Sequence, residues 1–233
     1  MSLLEFRAVG LDKSGVRILD GVSFRAEPGD GLVAFGLSGS GKHELLQLAA
    51  GVLGPTRGEI TLSDARPGSR LPVGYALLEG GLISNLSLVE NVMLPAVYHR
   101  CLSVRDARPK ALELLELLGV GLKARLLPAL AGHADRRLAQ LARALLASPS
   151  LFVLDDPLED LDAGAVRRVM GVLKDIRGGG QAAVLVATGN PRPYLDWAKR
   201  FLWVRRGGVE VFEGREGLRA STDPDLKVFT GEA

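Results

Sequence analysis

The strongest motif in this chain is Gly36-Leu37-Ser38-Gly39-Ser40-Gly41-Lys42. It fits the phosphate-loop pattern G-x-x-x-x-G-K and stands between an apolar run and a segment with helical spacing. Glycines let the backbone curl so that successive N–H groups point at phosphate oxygens. The lysine and the helix N-terminus add positive charge. Together with His43 and Glu44, the stretch therefore predicts a nucleotide-binding loop, and the strand–loop–helix context disfavours an ordinary glycine turn.

The residue after the lysine departs from this pattern. Phosphate loops place Ser or Thr here, because the hydroxyl binds the Mg²⁺ that accompanies the nucleotide. This chain has His43 instead, and imidazole prefers softer metals than Mg²⁺. We interpret the change as a lost magnesium ligand, with a metal-binding role for His43 as the alternative.

A second acidic site follows the apolar run Leu151–Leu154, which ends in Asp155 and Asp156. NTP sites pair the phosphate loop with an acid at the end of a neighbouring strand. Asp155 is therefore predicted to lie beside the loop and to hold Mg²⁺ through water. A solvated acidic turn is the alternative interpretation, and the presence of the phosphate loop disfavours it.

Composition limits what kind of protein this is. The 233 residues show no break in composition, so we expect a single domain over residues 1–233. A net charge of +2, from 29 basic and 27 acidic residues, gives no electrostatic reason to expect nucleic-acid binding. With Cys101 as the sole cysteine and no apolar run near the roughly 20 residues of a membrane span, we expect a soluble, cytoplasmic protein.

The apolar patterns predict an α/β fold with a P-loop core, an antiparallel β subdomain and a helical insertion. Early strands are expected at Leu3–Val9, Arg17–Ala26 and Glu59–Leu62, and helical spacing dominates a subdomain at about residues 84–147. Later elements are predicted as buried strands, a helix and a hairpin around Gly207-Gly208: Gly31–Phe35, Leu151–Leu154, Ala163–Ile176, Ala182–Ala187, Phe201–Val204 and Val209–Phe212.

Several further segments carry a family resemblance: Gly58–Leu62, Ser87–Val92, Leu138–Leu145 and Leu161-Asp162. In order and spacing they resemble the ATPases of ATP-binding-cassette (ABC) transporters, over nearly the whole chain. Gly80–Leu86 and Val92–Pro95 are in addition similar to ATPases of Mla/Mce-type lipid transporters. The resemblance implies ATP and Mg²⁺ as cofactors and an integral membrane permease as partner. It also implies a location on the inner face of the cell membrane.

The same resemblance implies a head-to-tail pair of cassettes, as a homodimer or as a heterodimer with another cassette. Each ATP is then held between one phosphate loop and the partner's signature motif at a helix N-terminus. That motif falls here at Leu130–Ala134, where Ala131 lacks a hydroxyl, Gly132 is kept and His133 adds bulk.

Three more positions depart from the family pattern. The catalytic glutamate falls at Asp156, whose carboxylate is one methylene shorter. The Q-loop glutamine falls at Leu78, and the switch histidine falls at Gly189. Because water positioning and charge stabilisation each contribute large factors to phosphoryl transfer, we expect ATP binding with little or no hydrolysis.

Two other functions stay open on the sequence alone. The chain could be an active transporter ATPase in which Asp156, Glu79 or His43 compensates for the lost groups. It could also be a soluble regulatory or scaffold protein that keeps the fold without a role in transport. The transported substrate and its direction cannot be deduced, because specificity in this family lies in other subunits.

Overall fold

The computed structural model describes residues 2–63, 73–77 and 81–231. The strands within these ranges are β1 (Leu4–Lys13), β2 (Val16–Ala26), β3 (Gly31–Phe35), β4 (Arg57–Leu62), β5 (Val73–Ala76), β6 (Leu151–Asp155), β7 (Ala183–Thr188), β8 (Arg200–Arg205) and β9 (Gly208–Glu213). The helices are α1 (Lys42–Ala49), α2 (Leu88–Tyr98), α3 (Val104–Leu117), α4 (His133–Leu146), α5 (Ala163–Gly178), α6 (Gly214–Ala220) and α7 (Pro224–Thr230).

A six-stranded sheet in the order β5-β6-β7-β3-β8-β9 forms the centre of the molecule. Its first five strands run parallel, and β9 pairs antiparallel with β8 through a hairpin. Every residue of β3, β6 and β7 is buried, as expected of parallel strands covered on both faces. Because parallel strands end at one edge, β3, β6 and β7 deliver the segments that follow them to the same place.

A smaller antiparallel sheet, in the order β2-β1-β4, packs beside this centre. Its inward side chains include Leu4, Phe6, Leu19 and Phe24, all buried, and the rings of Phe6 and Phe24 stack with centroids 4.5 Å apart. This apolar cluster also takes in Leu45 of α1, so the antiparallel sheet supports the helix that follows the glycine loop.

Helices α2, α3 and α4 lie between β5 and β6 in the chain and contact one another. Helix α2 begins at a capping box, in which Ser87 and Glu90 satisfy each other's backbone N–H groups. Helix α4 buries Leu138, Leu141 and Leu145 on one face. Within the described residues, none of the helices combines the length and the apolar character needed to cross a bilayer.

The α/β class, the antiparallel subdomain and the parallel core are confirmed. The hairpin around Gly207-Gly208 is confirmed as well. The strand predicted at Glu59 begins two residues earlier, at Arg57. Strand β5 and the C-terminal helices α6 and α7 were not predicted. The domain limits, including the insertion at about residues 84–147, stay a prediction.

Candidate nucleotide-binding site

The glycine loop leaves β3 at its C-terminal end and enters α1 at Lys42. Gly39 (φ 73°) and Gly41 (φ 102°) adopt left-handed conformations, which glycine reaches without a steric penalty. The Lys42 ammonium turns back and donates to the carbonyl oxygens of Gly36 and Leu37, both at 2.8 Å. Burial lowers the pKa of Lys42, and the charges of Asp156 and Asp155 oppose that shift.

A cavity of about 450 Å³ opens over this loop. Its described lining residues come from the loop, from the first turn of α1 and from the ends of β6 and β7: Gly36, Ser38, Gly39, Gly41, Lys42, His43, Glu44, Asp155, Asp156, Thr188 and Gly189. The structure thus brings together most of the site residues chosen from sequence. Of the other two loop residues, Leu37 is exposed and Ser40 is buried.

His43 and Asp155 contact each other directly. The ring Nδ1 of His43 lies 2.6 Å from Asp155 Oδ2, and its Nε2 lies 2.9 Å from the side-chain amide nitrogen of Gln47. Burial raises the pKa of Asp155, while the hydrogen bond with His43 lowers it in part. Asp155 was predicted to hold Mg²⁺ through water, and here its carboxylate bonds to the residue that replaces the hydroxyl ligand. The imidazole nitrogen is not one of the oxygen ligands that Mg²⁺ prefers, so the pair of His43 and Asp155 does not fit this ion.

Asp156 is bound at both carboxylate oxygens. The Thr188 hydroxyl donates to Oδ1 at 2.9 Å, and the Gly189 backbone N–H donates to Oδ2 at 3.1 Å. The Asp156 carbonyl accepts a hydrogen bond of 2.7 Å from the buried Arg137 guanidinium. The carboxylate therefore ties the end of β6 to the end of β7.

The signature positions lie elsewhere, at the start of α4. Gly132 is the N-cap, and its N–H donates to Asp135 Oδ2 at 2.9 Å. Lys123 binds the same carboxylate at 2.7 Å. Ala131 is buried, and His133 Nδ1 lies 3.8 Å from Asp160. Ala131, Gly132 and His133 are not among the described lining residues of the cavity. The predicted Q-loop residue Leu78 and the neighbouring Glu79 lie outside the described residues.

Sequence reasoning missed four participants: Gln47, Thr188, Asp135 and Arg137. Gln47 stands four residues after His43, on the same face of α1, so helical spacing could have found it. Thr188 ends β7 beside β6, the strand that Asp156 follows, and the sequence gives no signal for the pairing of these two strands. Asp135 occupies the N3 position of α4 and fits a capping box. For Arg137 the sequence offers no comparable signal.

A parallel sheet whose strand β3 runs through a glycine loop into a helix, with two acids at the end of β6, one strand beyond its neighbour β7, defines a P-loop NTPase core. The family model described as "ABC transporter" matches residues 19–159. This chain belongs to the ABC transporter family and is an ATP-binding cassette of it.

Relatives with known names agree with this membership. A phosphonates import ATP-binding protein of Frankia casuarinae is 33% identical over 90% of this chain and 89% of its own length. A lipoprotein-releasing system ATP-binding protein of Psychrobacter arcticus is 28% identical over 84% and 91%. Among solved structures, a dimeric ATP-binding cassette bound to ADP and phosphate matches with a TM-score of 0.80 at 23% identity, over 90% of this chain and 98% of that one.

Proposed function

We propose that this chain binds ATP at its glycine loop as the cassette subunit of a transport complex and hydrolyses it at a background rate. The expected partners are an integral membrane permease and a second cassette, and the expected location is the inner face of the cell membrane. The relatives named above act in import and in lipoprotein release. They differ among themselves, so we assign no transported substrate.

One observation carries the proposal of weak hydrolysis, the state of Asp156. A general base must reach the attacking water within hydrogen-bond distance. Each oxygen of Asp156 accepts one hydrogen bond, from Thr188 and from Gly189, and these two bonds hold the carboxylate between the strand ends. Because this side chain is one methylene shorter than the family's glutamate and is held in that position, we expect it to reach the attacking water poorly. Gly189, which stands in place of the switch histidine, contributes only its backbone to this arrangement.

The start of α4 supports the same proposal. In a head-to-tail pair this helix end would face the ATP on the partner, where free N–H groups attract anions. Here the Asp135 carboxylate already accepts from Gly132 N–H, so one of those donors is occupied. Ala131 adds no hydroxyl, and its carbonyl accepts from Arg136 at 2.7 Å. A γ-phosphate at this surface would therefore lack the hydroxyl of the family motif and one backbone N–H donor.

The test compares ATP binding with ATP turnover on the purified chain. Lys42→Ala should weaken ATP binding by about 1–3 kcal/mol, because it removes a charged phosphate contact. Lys174→Ala, which removes an exposed lysine of α5, is the matched control and should leave affinity unchanged. Titration calorimetry gives the affinities, and phosphate release gives the rate.

Two results would contradict the proposal. Equal affinity of the wild type and Lys42→Ala for ATP would remove the glycine loop from the binding site. An ATP turnover of about 1 s⁻¹ or above, inside the usual range of enzymes, would favour an active ATPase with compensating residues. Asp156→Glu alone should restore little activity, because the signature and switch positions stay altered.

A further inference from the structure

We propose that this chain binds ATP without a divalent cation, and that His43 takes the space in which other P-loop proteins hold magnesium. The inference rests on the proposed ATP binding and goes beyond it, because it concerns the form of the nucleotide that is bound. It follows from the contacts of His43, Asp155 and Gln47.

The first step is a distance. Magnesium requires a near-ideal octahedron with bonds of about 2.0–2.1 Å, so two neighbouring ligand atoms lie about 2.9 Å apart or farther. A ligand that acts through water lies farther still. The two atoms at the corresponding positions here, His43 Nδ1 and Asp155 Oδ2, are 2.6 Å apart. They form a hydrogen bond with each other, and no hydrated ion fits between them.

The second step concerns the lone pairs of the ring. Metal ligation by histidine needs a neutral imidazole with an unprotonated nitrogen facing the ion. With Asp155 ionised, its carboxylate can only accept, so Nδ1 of His43 is the donor in this hydrogen bond. Nε2 faces the amide nitrogen of Gln47 at 2.9 Å, which is a donor, so Nε2 accepts. Both nitrogens are therefore engaged, and the ring offers no free lone pair to a metal.

The third step asks what would hold the phosphates. Lys42 lines the cavity with a positive charge, and the loop N–H groups and the N-terminus of α1 add partial positive charge. Asp155 would repel a polyphosphate if its charge faced the ligand. Its hydrogen bond to His43 directs one oxygen to the ring instead. The loop can thus bind an anion in the absence of Mg²⁺, with the ring shielding the nearest carboxylate.

The experiment measures ATP affinity by titration calorimetry, in excess Mg²⁺ and in EDTA at equal ionic strength, since salt screens charge. For the unmodified chain we expect the two dissociation constants to agree within about twofold. His43→Ser supplies the missing hydroxyl and removes the ring from Asp155. Its ATP affinity should increase by about tenfold or more when Mg²⁺ is present. His99→Ser, which changes an exposed histidine of another element, is the control and should behave like the wild type.

The outcomes of these titrations test the inference on the divalent cation separately from the proposed function. A wild-type affinity that falls about tenfold in EDTA would overturn this inference and leave the proposed function intact. So would a softer ion, Zn²⁺ or Ni²⁺, that strengthens ATP binding to the wild type and not to His43→Ser. The absence of ATP binding in both buffers would overturn the proposed function as well. The wild-type comparison needs no variant, so it stands even where His43→Ser fails to fold.

Discussion

Asp156 has a left-handed backbone conformation as well as a side chain that accepts two hydrogen bonds. Its φ of 43° lies in the left-handed region, which costs free energy for a residue with a Cβ, although aspartate tolerates it better than most. The side-chain bonds to Thr188 and Gly189 offset that cost and hold β6 against β7. These bonds give Asp156 a structural role at this edge of the sheet.

The residue-scale prediction follows from these bonds. Asp156→Ala should lower the free energy of unfolding by about 2–3 kcal/mol, because hydrogen bonds to a charged group contribute about 1.5–3 kcal/mol. Thr188→Val, which removes one donor, should cost about 1 kcal/mol. Asp160→Ala is the control, since Asp160 also has positive φ (57°) but an exposed side chain. Urea unfolding followed by circular dichroism measures all three. Equal losses of unfolding free energy for Asp156→Ala and Asp160→Ala would mean that the side-chain hydrogen bonds of Asp156 do not contribute to stability.

At the scale of elements, the entry into α2 depends on one buried amide. The Asn91 side chain is fully buried, and its Oδ1 accepts from Ile83 N–H at 2.6 Å. Its Nδ2 donates to the carbonyls of Ile83, Leu86 and Ser87 at 2.9–3.1 Å. These four contacts fold the segment before the helix onto its first turn.

Asn91→Leu should therefore destabilise the protein by about 3 kcal/mol or more, because it leaves several backbone groups without partners. Hydrogen exchange should locate the loss in residues 83–88, ahead of the rest of the molecule. Glu90→Ala, which removes the neighbouring partner in the exposed capping box, should cost only about 1 kcal/mol. Unchanged hydrogen-exchange rates in residues 83–88 of the Asn91→Leu variant would show that the stability of this segment does not depend on the Asn91 amide.

The elements predicted from sequence were those marked by a continuous apolar run or by glycines at a turn. Strands β3, β6 and β7 are continuous apolar runs, and the hairpin of β8 and β9 carries two glycines at its turn. Strand β5 has only four residues, one of them Gly74, so its pattern is too short to read. Helices α6 and α7 have seven residues each and bury few side chains. Their formation depends on tertiary packing, which periodicity does not report.

Most residues of the site were predicted from sequence, but their contacts with one another were not. The loop and its two acids could be found because a spacing motif identifies the first and a strand end identifies the others. The contact of His43 with Asp155 joins residues 112 positions apart. That of Asp156 with Thr188 joins residues 32 apart. The first contact reaches across β7, which lies between β3 and β6 in the sheet. Both contacts depend on the order of the strands, and sequence spacing carries no information on that order.

At the scale of the whole molecule, symmetry limits how two cassettes can be used. In a homodimer both composite sites would combine His43, Asp156 and Gly189 from one chain with Ala131 and His133 from the other. Every site would then carry every change. In a heterodimer with an intact cassette, the glycine loop of this chain would still hold ATP against the partner's signature. The partner's own loop would face the altered start of α4.

We therefore expect the native assembly to be asymmetric, with this chain and a second, competent cassette on one permease. Mass measurement of the intact complex, purified from native membranes, gives the copy number of each chain. Two copies of this chain on the permease, without another cassette, would rule the asymmetric arrangement out. The role of the homodimer would then be structural.

The Lys42 ammonium bonds to two carbonyls of its own loop. These bonds bear on the conformational entropy of ligand binding. These two bonds close the loop around a positive charge, so contacts within the loop itself set its curvature. A ligand that arrives need not order the backbone, and the conformational entropy of binding is correspondingly small. Phosphate oxygens have only to replace two carbonyl oxygens around an ammonium that is already in place.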